Sequence, residues 1–126
     1  MTFSDWGGRL VPFPEDRADH YRASGAWSSD PTGQRLHEIA TRFPDRSAVI
    51  TAEREMSFIE LDRRTDQIAA GLIRLGLQRL DPVIFQLTNG LETVLAWYGC
   101  VKAGLIPVAT LAAQRMHEIR AEEPHP

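Results

Sequence analysis

The side chains best suited to metal binding or acid–base work are four histidines, one cysteine and 17 Asp and Glu residues, set in a chain of 126 residues. A helical zinc site needs two histidines four residues apart, so that both imidazoles leave one helix face together. His20, His37, His117 and His125 offer no such pair. His117-Glu118 begins like a zinc-protease motif, but Ala121 stands where the second histidine would be. His37 lies beside the apolar face of a predicted helix and reads as packed or solvated rather than catalytic. Cys100 lies in the apolar stretch Trp97-Tyr98-Gly99-Cys100-Val101, which predicts a buried, inert thiol. Phosphate loops combine glycines, which admit an anion to backbone N–H groups, with a lysine. Gly71 and Gly76, and Gly99 and Gly104, have that separation, yet neither pair is followed by Lys-Ser or Lys-Thr. There is no G-x-S-x-G elbow, and the spacing of carboxylates singles out no acid–base pair. The sequence therefore assigns no catalytic, cofactor-binding or metal-binding residue.

Charge and composition exclude further classes. The net charge is -3, and the basic residues are interspersed with acids, as in Asp62-Arg63-Arg64-Thr65-Asp66. Neither nucleic acid nor an anionic membrane is an expected partner. A hydrophobic content of 43% and a charged content of 25% are those of an ordinary globular fold. The start Met1-Thr2-Phe3-Ser4-Asp5-Trp6 has no basic region or apolar run of the secretory kind. No apolar stretch reaches the ~20 residues that span a bilayer. A lone cysteine forms no internal disulfide, so a reducing cytoplasm is expected.

The elements that would position any site follow from periodicity. Residues 1–14 are rich in Gly and Pro and predict an irregular segment. Pro14, with Glu15 and Asp16 at the positive end, opens a helix that Gly25 stops. Thr32 is placed to cap a second helix, whose Leu36, Ile39, Ala40 and Phe43 share a face before Pro44 ends it. Strands are expected at 47–51 and 55–58. Ser57 and Glu60 have capping-box spacing. The next helix carries Leu61, Thr65, Ile68, Leu72 and Leu75, with Gly76 as its stop. The apolar run at 82–87 predicts a strand buried on both faces. Leu91, Val94, Leu95, Tyr98 and Val101 mark a further helix ending at Gly104, and residues 105–109 a last strand with an irregular side or edge at Pro107. The alternation predicts an α/β fold, a parallel-type sheet with flanking helices. Residues 114–123 could begin another helix, and the chain then looks cut short.

Three stretches give the pattern a family. Met56-Ser57-Phe58-Ile59-Glu60-Leu61 resembles the L-[ST]-Y-x-E-L motif of the adenylate-forming synthetases, and Val101-Lys102-Ala103-Gly104-Leu105-Ile106-Pro107-Val108 resembles their L-K-A-G-x-x-P-V motif. Between them, Gly76-Leu77-Gln78 and Val83–Asn89 are similar to the linking run, except that Arg79-Leu80-Asp81-Pro82 replaces the usual Pro-Gly-Asp and a non-proline residue. The opening Val11–Ala18, with Tyr21 and Gly25-Ala26-Trp27, resembles ligases that adenylate salicylate or 2,3-dihydroxybenzoate. Arg115, Glu118 and Ile119 match a further motif of those ligases, with Gln114 in place of its histidine.

The resemblance covers roughly residues 10–119 and implies an incomplete N-terminal subdomain: an irregular segment at 1–14, a partial AMP-binding domain at 15–119 and a tail at 120–126. Complete members join a carboxylic acid, aryl or fatty, to ATP with magnesium, and pass the acyl group to the thiol of CoA or a carrier protein. The Ser/Thr/Gly-rich phosphate loop with its lysine is absent here, so no cofactor is expected on this chain and no residue matches a catalytic position of the family. The fragment is expected to be incompetent alone and to be capable of self-association. A stand-alone module that binds a partner protein is the other reading; an unrelated flavodoxin-like domain would need more strands.

Overall fold

The computed structural model describes residues 2–6, 9–111 and 113, in two compact units, Met1–Asp30 and Pro31–Pro126. In the first unit, β1 (Thr2–Trp6) and β2 (Arg9–Phe13) form an antiparallel pair with Thr2 opposite Phe13 and Trp6 opposite Arg9. The expectation of an irregular first 14 residues is thereby corrected. Gly7-Gly8 lies between the strands in sequence, and Gly-Gly is a hairpin dipeptide. Helix α1 (Glu15–Ala23) starts after Pro14, carries Glu15 and Asp16 in its first turn, and is followed by Gly25 at φ 75°. The rings of Phe13 and Tyr21 lie 4.9 and 5.2 Å from that of Trp27, the tilted spacing that aromatic quadrupoles favour.

The second unit begins with α2 (Thr32–Arg42). Pro31, not Thr32, is its cap: the Pro31 carbonyl accepts from Arg35 N at 3.1 Å, and no side chain caps the end. Strands β3 (Ser47–Ile50) and β4 (Glu55–Ser57) pair antiparallel, and β5 (Pro82–Gln86) and β6 (Ile106–Thr110) pair parallel. The α/β class, with a parallel strand pair and flanking helices, is as the alternation suggested; among the described residues the strands form three two-stranded sheets, one of them parallel. Connection length explains the difference. Residues 51–54 suffice for a hairpin, whereas the β5-to-β6 crossover holds a whole helix, as a parallel return requires.

Helix α3 (Phe58–Arg74) begins with its free donors answered. Ser57 Oγ accepts from Glu60 N at 3.3 Å, Phe58 N donates to Arg46 O at 2.9 Å, and Ile59 N to Pro44 O at 3.1 Å. These bonds satisfy backbone groups that a helix start leaves unpaired. Helix α4 (Leu91–Lys102) follows β5. Both helices end where glycine was expected to stop them, Gly76 at φ 92° and Gly104 at φ 75°. Leu36, Met56, Leu61 and Leu91 form the buried core, with Val49, Phe58, Val94, Leu95 and Tyr98 packed against it.

Two expectations about burial fail. Leu75 lies beyond the end of α3 and is 80% exposed. Strand β5 is half-buried at its centre rather than buried on both faces. Each strand of the β5–β6 sheet has one paired side among the described residues. The turn before β5 holds Leu80 at φ 70°, with Leu80 N donating to Gly104 O at 2.8 Å. That left-handed conformation suits glycine, and glycine is the residue the adenylate-forming pattern usually has there. The tail at 114–126, including the expected helix and Arg115, Glu118 and Ile119, lies outside the described residues.

Candidate functional site

The most concentrated polar chemistry among the described residues lies where α2, α3 and α4 meet. Close backbone approach makes the meeting possible. A Cβ added to Gly99 would stand 2.3 Å from Ile68 Cγ2, and one added to Gly33 would stand 2.8 Å from Lys102 Cγ. Neither position has room for a side chain. With Gly99 flush against α3, Lys102 one turn later turns its ammonium onto the same helix.

Asp62 and Asp66 are four residues apart on α3 and therefore share a face, where two like charges repel. Lys102 resolves the repulsion. Its Nζ donates to Asp62 Oδ1 at 2.5 Å, to Asp62 O at 3.0 Å and to Asp66 Oδ1 at 2.6 Å. Each N–H of the ammonium therefore has an acceptor. The Lys102 and Asp62 side chains are only 8% and 4% exposed, whereas Asp66 is 61% exposed. Asp62 Oδ2 receives a bond from His37 Nδ1 on α2 at 2.8 Å. Burial pushes the Asp62 carboxyl up, but its bonds to Lys102 and His37 and their charges prevail and hold it below the ordinary carboxylate value. Thr65, beneath them and fully buried, donates to Leu61 O and Asp62 O at 2.7 and 3.0 Å.

This arrangement clamps helices together; its lysine has no donor left for a ligand. A groove of about 410 Å³ opens beside it, lined in part by Gly33, His37, Asp66, Ala69, Ile73 and Lys102. His37 is 68% exposed, so of the packed and solvated alternatives it is the solvated one, yet it is also anchored by a buried carboxylate, which the sequence did not reveal. Cys100 is buried, and burial raises its thiol above the ordinary value. Ser57 is a helix cap. His20 is exposed on α1 with its ring against Tyr21, and His117 and His125 lie outside the described residues. Sequence reasoning missed Asp62, Asp66 and Lys102 as a cluster. Its one available signal was the like-charged i, i+4 pair on a helix face, which calls for a cation.

The clamp joins the two motifs that carried the resemblance, since Lys102 belongs to the second and Asp62 directly follows the first. An α/β unit built around that junction defines a class, the adenylate-forming scaffold, and comparison with known proteins agrees. Residues 36–121 match the family described as AMP-binding enzyme. The chain is 42% identical over 117 residues to a salicyl-AMP ligase / salicyl-S-ArCP synthetase of Mycobacterium tuberculosis, covering 89% of this chain and 21% of that protein. It is 35% identical over 110 residues to a 2,3-dihydroxybenzoate-AMP ligase of Bacillus subtilis, covering 87% of this chain and 20% of that one. The apo structure of Mycobacterium smegmatis MbtA superimposes with a TM-score of 0.80 at 39% identity, over 88% of this chain and 21% of that one. This chain belongs to the AMP-binding enzyme family. It spans about a fifth of the length of the curated relatives it matches.

Proposed function

We propose that this chain is part of an ATP-dependent ligase that activates an aryl acid as its acyl-adenylate and passes the acyl group to a thiol of CoA or a carrier protein, and that the residues described here serve as scaffold. The observation that carries the reading is the 42% identity over 117 residues with a salicyl-AMP ligase. The 2,3-dihydroxybenzoate-AMP ligase match supports the same acid class. A cytoplasmic setting, where ATP and reduced thiols are available, belongs to the reading.

ATP and magnesium are what such chemistry requires: the metal and fixed cations would offset charge on the transferring phosphates. The described residues do not fit that role. Among them no group of three or more His, Cys, Asp or Glu is placed to hold a metal ion, and the Lys102 ammonium is committed to Asp62 and Asp66. What Lys102 and its carboxylate partners do is mechanical. Lys102 ties the end of α4 to α3, and the Gly104 turn then delivers β6 alongside β5 in register, with Pro82 opposite Ile106.

Exchange of labelled pyrophosphate into ATP, run on the purified 126-residue chain with salicylate, 2,3-dihydroxybenzoate and a fatty acid, tests the scaffold assignment. The expected result is none above background. Exchange that co-elutes with the intact chain on a sizing column would overturn it.

A further inference from the structure

His37 is anchored more firmly than its exposure suggests. Asp62, a carboxylate at neutral pH, can only accept, so the ring nitrogen it faces, Nδ1, must carry the proton. In the neutral ring the lone pair then belongs to Nε2. Among the described residues no group hydrogen-bonds Nε2, and the side chain is 68% exposed beside the groove that Gly33, Ala69 and Ile73 help to line. Lys102 holds Asp62 from the other oxygen, so the carboxylate cannot swing away from the ring. A buried carboxylate behind an imidazole, fixing its tautomer and facing the positive charge that grows on it, is the arrangement that makes imidazole a better nucleophile or base.

We propose that His37, oriented by Asp62, is an acyl-accepting site for activated acyl donors of the mixed-anhydride class. The Nε2 lone pair forms a bond to the donor's carbonyl carbon, and the bond from that carbon to the leaving oxygen breaks. The leaving group departs with the electron pair. The acylated ring is then a cation, held through its Nδ1 proton on the Asp62 carboxylate. Attack by water on the acyl carbon returns the free acid and the original imidazole and gives one proton to solvent, so the net reaction is hydrolysis of the activated donor. That acyl-adenylates are the donors met in the cell rests on the ligase reading above; the reactivity of the ring does not.

The two parts are tested separately on the full chain. Diethyl pyrocarbonate is the first probe, with modification of each histidine-bearing peptide followed by mass spectrometry. His20 serves as an internal reference, because it is an exposed helical histidine with no carboxylate partner among the described residues. His37 is expected to react about 10-fold faster than His20, the factor that a charge-assisted bond to the growing cation supplies. Glu92→Gln, an exposed change outside the groove that leaves the Asp62–His37 bond in place, should keep that advantage. Asp62→Asn should lose it, and circular dichroism will show whether that variant folds. Equal rates for His37 and His20 in the unaltered chain overturn the proposal whatever the variants do. Salicyl-adenylate is the second probe. Acylation of His37 ahead of His20 extends the assignment to the ligase's own class of intermediate. Reaction with pyrocarbonate but not with the adenylate overturns that extension and leaves the ligase reading untouched.

Discussion

Replacing Lys102 with methionine keeps the stem that packs against Gly33 and removes the ammonium shared by Asp62 and Asp66. Asp62, 4% exposed, would retain only His37 as a side-chain partner. Leaving a buried charge without its counter-ion costs about 3–5 kcal/mol, and the surviving His37 bond places the expectation near the lower end. Asp66→Asn removes a carboxylate that is 61% exposed, where solvent screens the pair, so about 0–1 kcal/mol is expected. Urea unfolding followed by far-UV circular dichroism would separate the two. The double variant Asp62→Asn/Lys102→Met should be less destabilised than the sum of its parts, because it leaves no orphaned charge. A pH series gives a second signature. The Asp62 carboxyl is held below its ordinary value of 3.8, so its contribution is complete above that pH and lost as pH falls through the depressed folded value. The gap between the unaltered chain and Lys102→Met should therefore narrow below about pH 4, where free carboxyls become protonated. Equal losses for Lys102→Met and Asp66→Asn, or a gap that stays constant into acid, would refute the clamp.

Three further outcomes follow from the packing. Gly99→Ala should destabilise by about 1–3 kcal/mol through overpacking, because the new methyl meets Ile68; Gly71→Ala, with open space around it, should stabilise by roughly 0.5–1 kcal/mol, and similar shifts for both in thermal melts would show that α3 and α4 are not so close. Leu80→Gly should be neutral to stabilising by up to about 1 kcal/mol, relief of the left-handed backbone outweighing glycine's entropy; a loss of more than that in urea titrations would mean Leu80 is held by its side chain. The 126-residue chain, with half-buried β5 and a β5–β6 sheet that has two strands among the described residues, should self-associate at micromolar concentration, and a clean monomer across a dilution series in sedimentation velocity would refute this.

Local signals carried much of the fold. The stops at Gly76 and Gly104, the Ser57 cap and the apolar faces around Leu61 and Leu91 depend on neighbours a few residues away, so the chain displays them directly. Pairing direction was less legible, because alternation of strands and helices does not say which strands meet; the four residues between β3 and β4 did, and they set a hairpin. The β1–β2 pair was hidden by reading Gly and Pro as breakers, although Gly7-Gly8 is also a hairpin signal. The clamp was the least legible part. Asp62 and Asp66 look like solvated charges in a mixed run, and only the approach of α4, 40 residues away along the chain from Asp62, buries one of them. Leu75 erred the opposite way: its spacing continued the apolar face, but α3 had already ended.

Grafting tests the central claim most directly. The 117-residue match would replace the corresponding stretch of the Mycobacterium tuberculosis salicyl-AMP ligase, and salicylate-dependent exchange of pyrophosphate into ATP would be measured on the folded chimera. If this chain is the scaffold of an aryl-acid ligase, exchange should persist within about 10-fold of the parent, a change of ~1.4 kcal/mol in the barrier. A chimera that folds, binds ATP and shows no salicylate-dependent exchange would contradict the account.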